Sequence, residues 1–138
     1  MVRPLPEFLP GVRLMAALRS LPWAIWLDSG HPAAAAGRSD LCMAAPVRTL
    51  VGDGGQVVLR DADGRVLETS SEPLALLRRQ LAERRTAPAP LPFCGGAAGY
   101  FGYDLGLRLQ QIAPRPRSEP VPELALGFYD WALISDNL

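Results

Sequence analysis

The chain has 138 residues, 49% of them hydrophobic and 20% charged, a balance that lets one globular domain bury a core and leaves little room for a second. Its 14 basic and 14 acidic residues cancel to a formal net charge of +0, so no basic excess is available to hold a phosphate backbone, which argues against nucleic-acid binding as a primary role. Every basic residue is arginine, which removes lysine Schiff-base and lysine general-base chemistry from this chain.

The first ten residues, with Pro4, Pro6 and Pro10, read as an irregular lead-in. They do not read as a signal peptide, because Glu7, Arg13 and Arg19 interrupt the apolar stretch. No apolar run anywhere approaches the roughly 18 to 20 residues that span a bilayer, so the expected compartment is the cytoplasm, away from membranes. Residues 11–20 place Val12, Met15 and Leu18 three apart, which predicts a short amphipathic helix ended by Leu21-Pro22. Residues 23–27 (WAIWL) read as a buried strand and residues 28–32 as a loop.

Residues 40–45 and 47–51 are the next candidate strands, separated by Pro46. Asp53-Gly54-Gly55 is a turn into a strand at 56–60, and Asp61-Ala62-Asp63-Gly64 predicts a tight hairpin returning through 65–69. Together these predict an antiparallel meander. Ser71-Glu72-Pro73 is a helix start, with Leu74, Leu77 and Leu81 at helical spacing over 72–85 and the arginines on a solvated face. A Pro-rich connector follows at 86–92, then a glycine-rich strand, a short helix, a second Pro-rich loop at 114–122, and one long strand at 124–135 bulged near Gly127. The order argues for an α+β domain with a mostly antiparallel sheet and two or three helices, not a regular βαβ alternation.

Few segments offer chemistry on their own. Residues 95–102 are glycine-dense, but no G-x-G-x-x-G opens a helix and no Gly-Lys-Ser/Thr follows, so bulges or close backbone approach explain them better than a phosphate loop. On that reading Tyr100, Phe101 and Tyr103 fill core or interface space. Asp28, Ser29 and His31 fall together in a loop, which is no indication of a triad, since the fold and not adjacency arranges one. Arg38 and Asp40, two apart at the start of a strand, predict a surface salt bridge. Asp130, between Tyr129 and Trp131, must face solvent or find a buried partner. Cys42 and Cys94 read as reduced core thiols, and with His31 as the one histidine no multi-histidine metal site can be built.

Three segments carry a resemblance: residues 21–30 (LPWAIWLDSG), 91–106 (LPFCGGAAGYFGYDLG) and 122–136 (PELALGFYDWALISD). In order and spacing they resemble the N-terminal region of the anthranilate synthase and aminodeoxychorismate synthase component I family, with the Gly-Phe-Tyr-Asp-Trp-Ala-Leu segment nearer the aminodeoxychorismate branch. The resemblance implies that residues 1–138 are an N-terminal domain, and that a chorismate-binding catalytic domain holding Mg²⁺ lies outside this chain. No catalytic residue and no metal ligand carries over, so the chain alone is expected to be inactive. Implied partners are that catalytic domain and a glutamine amidotransferase supplying ammonia.

What does carry over is a tryptophan pocket, at Ser29, Ala36, Gly37, Arg38 and Ser39. Ser29 and Arg38 keep the family's residue type, whereas Ala36, Gly37 and Ser39 stand where similar relatives have Tyr, Ser and Phe. The lost aromatics and hydroxyl imply that L-tryptophan binds weakly or not at all. Alternative readings are an anthranilate synthase component I fragment, separable by product, and a free-standing amino-acid-binding or regulatory module of the same fold, separable by whether the reading frame continues.

Overall fold

The computed structural model describes residues 2–30, 37–84, 90–113 and 121–137. Three helices and two antiparallel sheets occupy them, the α+β arrangement that the element order predicts. The elements are α1 (Gly11–Leu18), β1 (Ile25–Leu27), β2 (Ser39–Met43), β3 (Arg48–Asp53), β4 (Gln56–Asp61), β5 (Val66–Ser70), α2 (Pro73–Glu83), β6 (Gly96–Phe101), α3 (Tyr103–Leu109), β7 (Leu124–Tyr129) and β8 (Leu133–Asp136). One sheet runs β1-β2-β8 and the other β5-β4-β3-β7-β6.

The meander is confined to β3, β4 and β5, because the chain changes sheets between β2 and β3. Ala45 takes a left-handed conformation (φ 50°) before Pro46, and its N–H donates to the Pro22 carbonyl at 2.8 Å rather than to a strand neighbour. The chain returns the same way. The long strand expected over 124–135 is two strands in different sheets, broken at the exposed Asp130. Hydropathy alone makes both halves look continuous, but β7 pairs with β3 and β6 whereas β8 pairs with β2. Solvent exposure therefore resolves the question that Asp130 posed.

Each sheet has its own core. Leu50, Val57, Leu59, Leu124, Leu126 and Phe128 of the larger sheet pack with Leu76 of α2 and Leu105 of α3. Cys42 and Ala44 of the smaller sheet's side pack with Leu14 and Leu18 of α1, flanked by Trp26 and Trp131. Burying eight large side chains in the first cluster contributes on the order of 1.5–3 kcal/mol each before chain entropy is set against it.

Both amphipathic helices form, but each is rotated relative to the face its spacing predicts. In α1 the buried positions are Leu14 and Leu18, four apart, while Val12 is 58% exposed. In α2 they are Leu76 and Gln80, while Leu81 is 38% exposed. Gln80 is held in the interior by Arg48, which donates to its carbonyl oxygen. The helix begins at Pro73 as expected, but Glu72 occupies the capping position without a side-chain bond and Ser70 Oγ accepts the Glu72 N–H. The arginines are not uniformly solvated: Arg79 pairs with Glu68, and Arg84 lies over the Phe128 ring at 5.8 Å.

Strand β1 is shorter and less buried than predicted. It is an edge strand, Leu27 is half exposed, and Trp23 turns through the left-handed region (φ 56°) instead of extending it. Cys42 is fully buried and Cys94 partly so, both as free thiols, and burial pushes the Cys42 thiol up to about 11.

The glycine segment does permit close backbone approach. Gly99 (φ 151°) lies so near β7 that a Cβ there would stand 2.0 Å from the Ala125 carbonyl oxygen. Its aromatic neighbours are not core: Tyr100, Phe101 and Tyr103 are 41%, 53% and 85% exposed. Tyr100 and Phe101 end β6, an edge strand of the larger sheet, and Tyr103 opens α3.

Candidate functional site

The residues singled out in sequence lie where the β1–β2 connection meets the end of β8. Ser29 stands two residues beyond β1, and Gly37, Arg38 and Ser39 lead into β2. Ala36 and His31 fall outside the described residues. Antiparallel pairing of β2 with β8 sets Ser39 opposite Asp136 and Asp40 opposite Ser135. Ser29, Arg38 and Ser39 are thereby brought to one end of the small sheet, but they face different surroundings.

Ser29 turns inward. Its backbone N–H and its hydroxyl both donate to Asp40 Oδ1, at 2.9 and 2.8 Å. Asn137 Nδ2 donates back to Ser29 Oγ at 3.3 Å. Asp40 is only 7% exposed. Its carboxyl is held below the usual carboxylate range, chiefly by the Ser29 N–H; burial opposes this, and the Ser29 hydroxyl, Asn137 and the Gly11 backbone amide add to it. The Gly11 amide belongs to the first turn of α1, where a carboxylate complements the helix dipole. Gly11 has no room for a side chain, since a Cβ would stand 2.4 Å from Asp40 Oδ2 and 2.8 Å from Trp26 Nε1. Trp26 Nε1 itself is buried without a hydrogen-bond partner among the described residues.

Arg38 turns outward and forks onto Asp136. Its Nε donates to the two carboxylate oxygens at 3.0 and 3.2 Å, and a terminal nitrogen donates to Oδ2 at 2.6 Å. The salt bridge expected between Arg38 and Asp40 therefore does not form. Arg38 precedes the first residue of β2, so strand alternation does not put the two side chains on one face; the β8 neighbour supplies the carboxylate instead. Asp136 and Asn137 are members that sequence reasoning missed, and Asp40, expected as a surface partner of Arg38, is instead the buried acceptor of Ser29. An acid in an apolar strand was a usable signal for Asp40; nothing local marks the other two.

Arg38, Ser39 and Asp136 line a broad open groove of about 1120 Å³, whose other walls include Leu5 and Phe8 of the lead-in and Phe93 of the connector. Ser29 is not on its wall. A tighter cleft between Gly55, Arg108 and Glu123 has only about 20 Å³, room for little more than one water. It is a structural joint: Arg108 of α3 donates through Nε to Glu123 at 2.8 Å and through a second nitrogen to its other oxygen, with the carboxylate almost wholly buried.

Among the described residues no three His, Cys, Asp or Glu side chains gather where they could hold a metal ion, and no helix is long and apolar enough to cross a membrane.

Comparison with known proteins places these features. No protein-family model matches the chain. It is 43% identical to aminodeoxychorismate synthase component 1 of Klebsiella aerogenes over 124 residues, which is 87% of this chain and 27% of that protein. It is 40% identical to the protein of the same name from Escherichia coli (strain K12) over the same number of residues and the same shares. Anthranilate synthase component 1 of Acetivibrio thermocellus is 31% identical over 86 residues, 60% of this chain and 17% of that one. The crystal structure of anthranilate synthase component I from Streptococcus pneumoniae TIGR4 superposes with a TM-score of 0.60 at 24% identity, over 72% of this chain and 22% of that chain, a likeness of fold. The chain thus spans about a quarter of the length of the curated relatives that it matches best among these.

Proposed function

We propose, on the premise that this chain is related to a part of aminodeoxychorismate synthase component 1, that residues 1–138 form the N-terminal, non-catalytic domain of such an enzyme. The reaction assigned to the whole protein is chorismate amination. Ammonia from a glutamine amidotransferase partner replaces a ring hydroxyl to give 4-amino-4-deoxychorismate, the precursor of p-aminobenzoate and folate, in the cytoplasm. The chorismate and Mg²⁺ ligands belong to a domain outside this chain.

The observation that carries this reading is the disproportion of the match: 43% identity over 87% of this chain against 27% of the relative's length. The residues described here then act as a scaffold. The end of the outer strand β6 and the start of α3, with Tyr100, Phe101 and Tyr103 exposed, form the surface that a chorismate-binding domain would cover. The site at Ser29, Ala36, Gly37, Arg38 and Ser39 is a reduced tryptophan pocket that holds its ligand weakly or not at all. In support, Ser29 is committed to Asp40 and Arg38 to Asp136.

The test is chorismate consumption with Mg²⁺ and excess ammonium, comparing this chain with the longest polypeptide its gene encodes. Activity in the longer form only is expected. Turnover by the 138-residue chain would overturn the assignment. The match to an anthranilate synthase component 1 keeps that branch as the second reading, and the aromatic product formed separates the two.

A further inference from the structure

Four strands form the edges of the two sheets: β1 and β8 in the smaller, β5 and β6 in the larger. An edge strand offers backbone donors and acceptors to any second strand, and folded chains blunt such edges by short length, charge, proline or a bulge. Three of the four are blunted. β1 has three residues, β8 has four and carries Asp136, and β5 carries Glu68 and meets β4 through a register shift at Leu59/Arg60. β6 (Gly-Ala-Ala-Gly-Tyr-Phe) has six residues with no charge, no proline and no register shift against β7, and its last three residues are exposed.

The pairing with β7 fixes which groups reach that edge. Gly102 N–H donates to the Glu123 carbonyl at 2.7 Å, in step with the register that sets Tyr100 opposite Ala125 and Ala98 opposite Gly127. Backbone groups alternate in direction along a strand, so Gly96, Ala98 and Tyr100 turn their N–H and C=O toward β7, while Ala97, Gly99 and Phe101 turn theirs outward. The Phe128 carbonyl agrees, since it accepts the Val47 N–H on the β3 side and leaves Gly127 and Ala125 to β6. The outward groups have no hydrogen-bond partner among the described residues.

We propose that the free edge of β6 is a self-pairing surface whose occupant is β6 of a second copy of this chain, antiparallel about a two-fold axis at Gly99. Each outward residue carries a partly positive N–H and a partly negative C=O, and a copy running the other way presents the same groups in reverse order, so the edge is electrostatically complementary to itself. With Gly99 opposite Gly99 of the second copy, Ala97 stands opposite Phe101 and every outward N–H meets an outward C=O. The same register sets Ala98 opposite Tyr100, so each ring crosses a small residue and not a second ring. The interface is isologous and consumes β6, so assembly closes at a dimer with one continuous sheet across both copies. A chorismate-binding domain seated on the same aromatics would displace the second copy, so the pairing belongs to the 138-residue chain by itself.

The test is sedimentation and amide hydrogen exchange of the 138-residue chain at low and high concentration. A dimer should form as concentration rises, and with it the amides of Ala97, Gly99 and Phe101 should gain at least about tenfold protection. Those of Ala98 and Tyr100, already bonded to β7, should stay protected throughout. Ala97→Pro deletes an outward donor where proline leaves the β7 ladder intact. Lost twice by symmetry, that donor should weaken dimerisation at least about tenfold, whereas Ala97→Ser keeps it and should stay within about threefold of the parent. A chain that stays monomeric, growth past a dimer, association that leaves the outward amides unprotected, or equal weakening by both substitutions overturns the proposal. Should Ala97→Pro not fold, the exchange pattern of the parent chain decides alone.

Discussion

The Ser29 hydroxyl donates to Asp40 Oδ1 at 2.8 Å, and the same oxygen accepts the Ser29 backbone N–H. This single buried carboxylate joins the loop after β1, the first turn of α1 and the start of β2. Asp40→Asn should lower unfolding stability by about 1–3 kcal/mol at neutral pH, since bonds to a charged acceptor weaken and a donor now faces donors. The pH dependence follows from the sign of the shift. The folded-state value lies below the ordinary value of about 4, so the contribution is complete above that value and is lost as pH falls through the folded one. Urea midpoints between pH 7 and pH 2.5 should fall more steeply in the parent chain than in Asp40→Asn; parallel curves would contradict this.

Gly99→Ala should be among the most damaging substitutions in the larger sheet. The new methyl would meet the Ala125 carbonyl at 2.0 Å and force an L-residue to φ 151°. Strain and overpacking together cost about 2–5 kcal/mol. Gly64→Ala, also at positive φ but with open space around it, should cost about 1 kcal/mol. Thermal unfolding of the two variants side by side reads the difference.

Arg108→Met removes the guanidinium from a carboxylate that is almost wholly buried. Glu123 retains other contacts, and Arg108 is partly exposed, so the expected loss is about 1–3 kcal/mol and not the larger figure for an isolated buried charge. By contrast Arg79→Met, whose partner Glu68 is exposed to solvent, should change stability by less than about 1 kcal/mol. Denaturant unfolding at neutral pH distinguishes the two pairs.

L-Tryptophan titrated calorimetrically into the chain should give no dissociation constant below about 10 μM, or some −7 kcal/mol. Tighter binding would show that the residues standing in place of the lost aromatics suffice.

The exposed aromatics on and beside β6 should drive self-association of the isolated chain. Tyr100→Ser with Tyr103→Ser should shift sedimentation toward monomer, while the unfolding free energy moves by no more than about 1–2 kcal/mol, because Tyr103 is largely in solvent and Tyr100 is 41% exposed. A parent chain that remains monomeric at high concentration would remove the reason for the substitutions.

Much of the element list was legible because turn chemistry is local. Asp61 to Gly64 form the expected hairpin, closed by Gly64 N–H on the Asp61 carbonyl at 3.1 Å, and Pro73 opens α2. The rotated helix faces were not legible: Val12 and Leu81 satisfy helical spacing as well as Leu14 and Leu76 do, and only the docking sheet decides which row is buried. The same holds for the site, where the partner of Arg38 lies 98 residues away.

By itself the sequence determined the approximate places and order of most strands and helices, the α+β class, and a likeness strong enough to say which proteins this chain is related to. Those properties rest on backbone preferences and motifs a few residues long. Tertiary structure alone decided that Ala45 and Asp130 divide the strands between two sheets, that Asp40 is buried while Arg38 is exposed, and that the end of β8 brings Asp136 to Arg38 and Asn137 to Ser29. Strand pairing sets side chains together across any length of chain, and its energy comes from surfaces that neither strand presents alone.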